Sequence, residues 1–380
     1  MKSAELIRNI TIADLAACEN ADSFLQSAMW GRFKSRFEWT AHAFVINWEH
    51  GGTRPLLALS RRIAPCLSMT YVPWGPELPD TFPPDPSLQA AVMLELARAL
   101  RPLLPKTVAF IRFDPPWFVG MGNGDQESGV LSTNRLPNAD PTPFSFPSPF
   151  KKAAADIQPP DTVLIDLNSS AQEILAAMKP KWRYNVALAE KRGVVVSDAG
   201  EKGIDVFYRL LTETAARDGI AIHSGEYYRA LFEECRTNKF GGGEYSGTVP
   251  QQLRLYIAGH DGDVLAAIVV LFRGKQAVYL YGASANVKRN LMAPYALQWR
   301  AMQDAQALGC SQYDLLGIPP NEDPDHPMAG LYRFKTGFGG RIVHRPGSWD
   351  YPYNPPLYAL FCGAEHLRKK LRDSRKHRAK

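Results

Sequence analysis

The 380-residue sequence predicts an α/β (α+β) protein of two domains, and three observations support this. The length exceeds that of one ordinary domain. Strand-like apolar runs alternate with amphipathic helical segments in both halves of the chain. Between the halves, residues 115–160 are rich in Pro, Ser, Asn and Gly and keep no periodicity. Such a segment is typical of an irregular crossing between domains, partly wrapped on the surface.

Composition and charge indicate a globular protein. Hydrophobic residues make up 45% of the chain and charged residues 22%, as in soluble domains. No apolar run reaches the ~18 residues of a membrane span, and residues 1–20 lack the apolar core of a secretory signal. The sequence has no CxxC, no HExxH and no Cys/His cluster with zinc spacing. We therefore expect a cytoplasmic protein without a metal site.

The N-terminal domain begins with a predicted helix and hairpin. Residues 24–39 favour a short helix with aromatic side chains on one side. Residues 41–48 and 55–63 favour two strands that meet at a Gly-Gly turn. After the stretch "MTYVPWGPELPD", residues 87–104 favour an amphipathic helix and residues 107–116 a buried strand.

The C-terminal domain begins with a predicted strand at residues 162–167, after which Asn168, Ser169 or Ser170 can cap a helix. Further predicted elements follow in chain order: a helix at 171–180, a basic helix at 181–193, a strand at 194–198, helices at 203–220 and 225–236, and a polar, Gly-rich loop at 237–252.

The rest of this domain predicts its fold type. Residues 253–284 favour three strands with short turns at Asp261-Gly262 and Gly274-Lys275. Residues 293–309 favour a helix with Gly309 as its C-cap, and "CSQYDLLG" favours another strand. Strand, strand, strand, helix, strand is the central order of an acetyltransferase-type fold, and the N-terminal domain has a similar run. We therefore predict two tandem acetyltransferase-like (GNAT-type) domains.

The turn before the helix at 293–309 argues against acyl-CoA binding. Acyl-CoA transferases of this fold hold the CoA pyrophosphate on backbone N–H groups of a turn with the pattern Arg/Gln-x-x-Gly-x-Gly/Ala. In "KRNLMAPYALQW", Arg289 fits this pattern, but residues 291–294 (Leu-Met-Ala-Pro) occupy the glycine positions and their surroundings. Pro294 has no N–H to donate. We predict that the scaffold is kept and the CoA site is lost.

Several stretches, in the same order, resemble the FemABX family of peptidoglycan bridge-forming, tRNA-dependent aminoacyltransferases. The resemblance covers residues 24–350 and is weakest at 115–160 and 237–252. The stretches that carry it are "FLQSAMWGRFK", "YVPWGP", "LIDLNSSAQEILAAMKPKWRYNVALAEKRGVVV", "YLYGAS", "LMAPYALQWRAMQDAQALGCSQYDLLGI" and "LYRFKTGFGG".

The resemblance implies an architecture and an activity. The first domain would comprise residues 1–160 plus a returning C-terminal segment from about 338 to 380, and would bind the precursor. The second, residues 161–337, would face the tRNA. Family members move an amino acid from aminoacyl-tRNA, the donor substrate, to an amine of the peptidoglycan precursor's stem peptide, on UDP-MurNAc-pentapeptide or lipid II. No other cofactor is implied. "TETAARDGI" runs directly into "HSGEYY", so the chain resembles the FemX-like type without a coiled-coil arm.

The resemblance also implies site residues. Lys34 matches a family lysine that contacts the precursor's diphosphate, and Tyr227 and Tyr281 match tyrosines of the substrate site. His223 stands where the family has an arginine, and a neutral imidazole gives a phosphate less than a bidentate guanidinium does. Phe334 and Lys335 match the pair at the tRNA acceptor end. Arg183, in the matched stretch "KWRYN", is a further candidate.

Two interpretations of Lys335 remain at this point. In an aromatic-rich strand, its stem can lie on the rings of Tyr332 and Phe334 while its ammonium reaches water. Alternatively, a fixed cation stabilises the charge that develops on the tetrahedral oxygen and the leaving ribose oxygen during acyl transfer. Phe334 would then shape the pocket or stack on the terminal adenine. Asp314 is a candidate base or a structural strand-end residue; we favour proton loss through water or a substrate carboxylate.

The C-terminal tail and the overall function also have alternatives. The tail is basic, which suits an RNA or an acidic lipid surface at the inner leaflet, or it is only a solvated helix of a monomer. Two rival functions remain: an acyl-CoA-type N-acyltransferase acting on a cell-surface sugar or peptide, and a non-catalytic tRNA- or membrane-surface-binding protein. The basic residues of the tail are Arg368, Lys369, Lys370, Arg372, Arg375, Lys376, Arg378 and Lys380.

Overall fold

A computed structural model describes residues 6–49, 51–83, 85–118, 120–121, 145–236 and 249–378. The chain divides into two compact units. The first unit contains the N-terminal part up to Gly120, the segment that ends at Pro160, and the C-terminal part from Arg345. The second unit contains Asp161–His344. The sequence placed the return to the first unit at about residue 338; the return lies at Arg345, because residues 341–344 form a strand of the second sheet.

The first unit is built on a seven-stranded sheet with the order β1-β2-β3-β4-β5-β15-β7. Strands β4 and β5 are parallel, and the other neighbours are antiparallel. The strands are β1 (Ile7–Ala13), β2 (Thr40–Trp48), β3 (Thr53–Ala64), β4 (Leu67–Val72), β5 (Val108–Phe113), β7 (Lys151–Lys152) and β15 (Trp349–Pro352). The helices are α1 (Ala28–Ser35), α2 (Pro86–Leu100) and α9 (Pro355–Arg378), with short 3₁₀ turns at Leu15–Cys18, Phe24–Gln26 and Arg101–Leu103.

The second unit is built on an eight-stranded sheet with the order β6-β14-β8-β13-β12-β11-β10-β9. Its strands are β6 (Gly120–Met121), β8 (Asp161–Asp166), β9 (Val195–Asp198), β10 (Gln251–His260), β11 (Asp263–Arg273), β12 (Gln276–Ser284), β13 (Gln312–Asp314) and β14 (Arg341–His344). Its helices are α3 (Ala171–Ala177), α4 (Pro180–Lys191), α5 (Ile204–Asp218), α6 (Gly225–Arg236), α7 (Ala293–Ala307) and α8 (Ala329–Thr336), with 3₁₀ turns at Gly200–Gly203 and Arg289–Leu291.

Both units contain the strand order that the sequence predicted. In the second unit β10, β11 and β12 are antiparallel neighbours, α7 follows, and β13 adds parallel to β12. In the first unit β2, β3 and β4 form the meander, α2 follows, and β5 adds parallel to β4. A parallel neighbour needs a crossover, which α2 and α7 supply. The two tandem acetyltransferase-like folds are confirmed.

Local sequence explains how the helices begin and end. Ser170 caps α3 through a capping box with Glu173, in which each side chain accepts a hydrogen bond from the other residue's backbone N–H. Gly219 ends α5 in the left-handed conformation (φ 66°). Residues 219–224 connect α5 directly to α6, so no helical arm is inserted at this point of the described chain.

The predicted strand around Lys335 is wrong. Residues 329–336 form the helix α8, and the Thr336 hydroxyl donates a hydrogen bond to the Tyr332 carbonyl one turn earlier, at 2.9 Å. Aromatic residues favour strands in isolation, but here Phe334 and Phe338 lie four residues apart and pack against each other (5.1 Å between ring centroids). This is the helical spacing, and it places both rings on one side, where Phe338 is buried and Phe334 partly buried.

Part of the Pro-rich crossing belongs to a core rather than to the surface. Trp117, Phe146 and Phe150 are at most 5% exposed and pack in the hydrophobic core of the first unit. Residues 122–144 of this segment, and residues 237–248 of the predicted Gly-rich loop, lie outside the described residues. The sequence pattern did not reveal these anchors because their spacing follows neither the helical nor the strand period.

Candidate active site

The ammonium group of Lys335 is buried and bonded to backbone. Only 6% of the residue is exposed. Its Nζ donates hydrogen bonds to the carbonyl oxygens of Leu316 (2.6 Å) and Gly317 (2.8 Å), and it lies 5.2 Å from the centroid of the Tyr279 ring. The interpretation in which the ammonium reaches water is therefore wrong. These two bonds use two of the three ammonium donors, and the described residues supply no hydrogen-bond acceptor for the third.

The carbonyls that hold Lys335 are fixed by the end of strand β13. Asp314, buried at 6% exposure, accepts hydrogen bonds through one oxygen from the Thr162 hydroxyl and from the Leu316 backbone N–H (2.7 Å). Leu316 itself has a φ of 52°, a left-handed conformation that is rare for a leucine. Asp314 thus stabilises an unusual turn whose carbonyls point at Lys335, which gives it a positioning role.

Burial shifts the acid–base behaviour of this lysine. Desolvation lowers the pKa of Lys335 to about 7, while the nearby charge of Asp314 acts in the opposite direction. A lysine with a pKa near neutrality loses or takes up a proton more readily than one in water. Negative charge that develops close to Nζ favours the ammonium form. The formation of an oxyanion beside Nζ therefore raises the protonated fraction of such a lysine.

Strand β12 places Tyr279 beside the lysine and Tyr281 beside helix α6. Its register against β11 shifts between Tyr279 and Tyr281, so Leu280 has no partner in β11 and the strand carries a bulge. Tyr279 lies over Lys335, while Tyr281 packs edge-on against Tyr228 of α6 (5.1 Å between centroids). A Cβ on Gly282 would lie 1.8 Å from the Tyr279 hydroxyl oxygen, so this position requires glycine for the observed ring placement.

Tyr227, Tyr281 and His223, which the resemblance assigned to substrate binding, lie in contact with one another. His223 is exposed and stacks face to face on Tyr227, with 3.8 Å between ring centroids and 13° between planes. Tyr227 is hydrogen-bonded to Tyr281, and burial raises the pKa of Tyr227 to about 12. Both phenols are therefore neutral near pH 7 and offer hydrogen-bonding hydroxyls rather than charge.

Phe334 is held by contacts on both its side chain and its backbone. Its ring packs edge-on against Tyr295 (5.3 Å) and Phe338, and its carbonyl oxygen accepts a hydrogen bond from Trp182 Nε1 at 2.8 Å. The Trp182 ring also covers Gly337, where a Cβ would lie 2.0 Å from the ring. Trp182 of α4 thus fixes the end of α8 from which Lys335 projects.

Arg183 binds the C-terminal end of helix α3. Its guanidinium donates hydrogen bonds to the carbonyl oxygens of Ala176 (2.8 Å) and Met178 at the end of α3. Basic side chains commonly satisfy the free carbonyls at a helix C-terminus in this way. These contacts give Arg183 a capping role, and no contact links it to Lys335 among the described residues.

Lys34 lies in the first unit, on α1, among aromatic rings. Its Nζ is 5.7 Å from the ring centroid of Trp30, 5.8 Å from that of Trp39 and 5.9 Å from that of Phe33. Burial, together with the charge of Arg61, lowers the pKa of Lys34 to about 8. An anion that binds beside a partly desolvated lysine stabilises the charged form of that lysine.

The turn before α7 has few backbone N–H groups to offer a pyrophosphate. The amides of Leu291 and Met292 donate to Lys288 and Arg289, and the amide of Tyr295 donates to Met292. Pro294 has none. Leu291 is buried and Met292 packs on the core, so side chains fill this turn. The loss of a CoA site therefore stays a prediction, and the filled turn gives a physical reason for it.

Sequence reasoning missed several residues around Lys335. Tyr279 precedes Tyr281 by two positions in "YLYGAS", but the bulge between them has no sequence signature. Thr162 and Leu316 matter through contacts that are distant in the sequence. The only signal for Thr162 was its place at the start of a predicted buried strand.

The chain thus combines two tandem acetyltransferase-like folds with a turn before α7 that is filled by side chains and with a buried Lys335. The chain belongs to the FemAB family, whose model matches residues 13–239 and 251–366. The family expected from the sequence is thus confirmed.

Similar proteins agree with this assignment. A lipid II:glycine glycyltransferase of Staphylococcus saprophyticus is 25% identical over 264 residues, which are 57% of this chain and 63% of that protein. One of Staphylococcus epidermidis is 24% identical over 253 residues, 54% of this chain and 61% of that protein. The chain thus spans less than two thirds of the length of these relatives. The crystal structure of FemX superposes with a TM-score of 0.70 at 18% identity, covering 92% of this chain and 97% of that one, and shows the same fold.

No helix within the described residues is long and apolar enough to cross a bilayer. The longest of the described helices is α9. It contains both apolar and charged residues, and basic residues are concentrated toward its C-terminal end.

Proposed function

We propose that this protein is an aminoacyltransferase that moves an amino acid from aminoacyl-tRNA to an amine of the stem peptide of a peptidoglycan precursor. The acceptor is UDP-MurNAc-pentapeptide or lipid II, and the product begins or extends an interpeptide bridge. Membership of the FemAB family and relatives named lipid II:glycine glycyltransferase support the reaction class. The observation that carries the proposal is the buried Lys335 ammonium, whose third donor has no acceptor among the described residues.

The proposed chemistry assigns each group one task. The acceptor amine attacks the carbonyl carbon of the ester that joins the amino acid to the terminal ribose. A C–N bond forms, the C–O bond breaks, and the ribose oxygen leaves as a hydroxyl after it takes up a proton. The Lys335 ammonium donates to the oxygen that becomes negative and stabilises the transition state. The amine loses its proton to water or to a substrate carboxylate, since Asp314 is occupied with Thr162 and Leu316.

The remaining parts of the proposal concern substrate binding. Phe334, firmly packed on one side, offers a ring edge or face to the terminal adenine of the tRNA. Lys34 provides a cation for the precursor's diphosphate, and Tyr227 and Tyr281 provide neutral hydroxyls. No cofactor beyond the charged tRNA is needed, because aminoacyl ester bonds are already activated.

We also propose that the protein acts in the cytoplasm as a monomer that touches the inner leaflet through α9. Tyr358 and Phe361 of this helix pack on Phe110, but from Gly363 onward its described side chains are mostly exposed. Leu360, Leu367 and Leu371 are 67%, 59% and 54% exposed. Their spacing of seven and four residues places them on one face of the helix. Of the basic tail residues, only Arg368 and Lys370 have described side chains, and both are exposed.

One experiment tests the reaction directly. Purified protein is incubated with a mixture of charged tRNAs and UDP-MurNAc-pentapeptide, or lipid II in detergent micelles, and the products are analysed by mass spectrometry. A mass gain of one aminoacyl residue on the stem peptide supports the proposal and identifies the amino acid. No gain with any charged tRNA, from protein that binds them, would support the non-catalytic alternative. Transfer from acyl-CoA would support the N-acyltransferase.

A further inference from the structure

Trp39, in the first unit, has two cations close to its ring. Lys34 Nζ lies 5.8 Å from the ring centroid, and the Arg61 guanidinium carbon lies 4.9 Å from it. Lys34 also lies 5.7 Å from the centroid of Trp30. Cations at such distances from an indole are attracted to its electron-rich face, which positions two positive charges around one ring.

The local fold explains this arrangement. Lys34 projects from the last turn of α1, and Glu38 then adopts a left-handed conformation (φ 55°) that places Trp39 at the start of β2. Trp39 also packs on Tyr71 of β4 at 6.1 Å. Arg61 comes from β3, where it pairs with Met69. Because side chains alternate along a strand, the neighbouring Arg62 points away; it lines a shallow depression with Glu38 and Pro65.

The charges of Lys34 and Arg61 repel each other, and no carboxylate of the described residues pairs with Arg61. Burial is the main cause of the lowered pKa of Lys34, and the charge of Arg61 is the second. No ion pair of Arg61 occurs among the residues that the structure describes. Arg61 is exposed, so an incoming anion can reach it. An anion with two negative groups relieves the repulsion and meets both cations at once.

We propose that Arg61 is a second cation for the diphosphate of the precursor, which it binds together with Lys34 within the first unit. This inference rests on the proposed function, since it takes the precursor as the substrate. The inference also explains how a diphosphate is bound although His223, which is stacked on Tyr227, occupies the position of a family arginine. With Arg61 present, two cations are supplied without a contribution from His223. The planar fork of arginine suits a bidentate contact to phosphate, and the lysine acts as a point charge.

The test is a binding titration with a matched control. Wild type, Arg61→Gln and Arg62→Gln are titrated by calorimetry with UDP-MurNAc-pentapeptide and, separately, with lipid II in detergent micelles. We expect Arg61→Gln to weaken binding by about tenfold or more, the scale of a hydrogen bond to a charged group, and Arg62→Gln to change it little. The two ligands distinguish a nucleotide from a lipid source of the diphosphate. Equal affinities of the two variants would overturn the proposal.

A second measurement separates this inference from the proposed function. Inorganic pyrophosphate is titrated into protein with isotopically labelled lysine methylene groups, and the Lys34 signal is followed by NMR. We expect pyrophosphate to shift this signal in the wild type and Arg62→Gln, and to lose most of the effect in Arg61→Gln. We also expect Arg61→Gln alone to raise the pKa of Lys34. If the precursor does not bind but these effects appear, the proposed function fails and the anion site stands. If pyrophosphate shifts the signal equally in both variants, the role of Arg61 is refuted.

Discussion

Lys335 carries an ammonium group that the fold removes from water and bonds to two carbonyl oxygens. Its acceptors, Leu316 and Gly317, lie 18 to 19 residues earlier in the chain. The sequence identified the lysine through its family resemblance, but local pattern could not decide whether it is buried. That outcome depends on the left-handed turn at Leu316 and on its support by Asp314, and both are products of tertiary structure.

The lowered pKa of Lys335 predicts a pH-dependent stability. Between about pH 7 and the ordinary lysine value of 10.5, the unfolded chain holds a proton at this residue that the folded chain lacks. The free energy of unfolding should therefore rise with pH in this range, by up to about 1.4 kcal/mol per pH unit from this group. Below about pH 7 both states are protonated and the contribution becomes constant.

Urea denaturation between pH 6 and 9 measures this effect. The difference in unfolding free energy between wild type and Lys335→Met should move in favour of the wild type as pH rises through 7. Arg333→Met serves as the control, because Arg333 is exposed on the same helix and should keep the wild-type slope. Equal slopes for all three proteins would show that Lys335 has an ordinary pKa in solution.

At the scale of the elements, α8 was the least predictable part of the site. Its aromatic residues have high strand propensity, and the segment is short enough for tertiary contacts to override that propensity. By contrast, the β10-β11-β12-α7-β13 run was predicted well, because long apolar strands, two-residue turns and a helix closed by Gly309 (φ 78°) each carry a strong local signal.

Two glycines of α8 and its C-cap give a matched test of how the helix is held. At Gly337 (φ −76°), a Cβ would lie 2.0 Å from the Trp182 ring, whereas at Gly330 nothing lies within 4 Å. Gly337→Ala should destabilise the protein by about 1–3 kcal/mol through overpacking. Gly330→Ala should be neutral or stabilising by up to about 1 kcal/mol, because alanine favours helix. Thermal unfolding of both variants checks this, and two unchanged melting temperatures would contradict the observed packing of Trp182 on α8.

Helix α9 offers a test of membrane contact. Leu367→Glu should lower binding to vesicles of 70% phosphatidylcholine and 30% phosphatidylglycerol by about tenfold or more, because it removes the burial of a leucine and adds a negative charge. His366→Glu adds a negative charge at an exposed neighbour without removing a leucine, so its effect should be smaller and largely absent at high salt.

Co-sedimentation at low and high salt provides the measurement for α9. If wild type and both variants bind these vesicles equally weakly, α9 is a solvated helix and the proposed contact with the leaflet is wrong. If the two variants lose the same amount of binding, charge alone accounts for the interaction and the leucines do not insert.

At the scale of the whole molecule, the sequence pattern predicted two acetyltransferase-like folds, and the family resemblance implied the segment that returns to the first. It placed the return about seven residues too early, since nothing in "GRIVH" distinguishes a strand of the second sheet from one of the first. It also did not predict that Trp117, Phe146 and Phe150 anchor the Pro-rich crossing in a core. Such contacts join residues far apart in sequence and leave no periodic pattern.

Under the proposed function, we assign one of the two substrates to each unit. The first unit carries the Lys34 and Arg61 cations that we assign to the precursor, and the second carries Phe334 and Lys335, which we assign to the charged tRNA. The central claim is that the Lys335 ammonium stabilises charge in the transition state, rather than only joining α8 to the turn at Leu316.

The most direct test of that claim is single-turnover transfer from charged tRNA with saturating precursor. Lys335→Met keeps much of the side chain's packing, so the variant should fold and bind both substrates nearly as the wild type does. We expect its transfer rate to fall by ~100-fold or more, the scale for loss of one preorganised electrostatic donor. Lys335→Arg should restore only part of the rate, because it places its charge differently, and Arg333→Met should retain the full rate. A folded Lys335→Met protein that transfers at a near-wild-type rate would contradict the account and leave Lys335 a purely structural role.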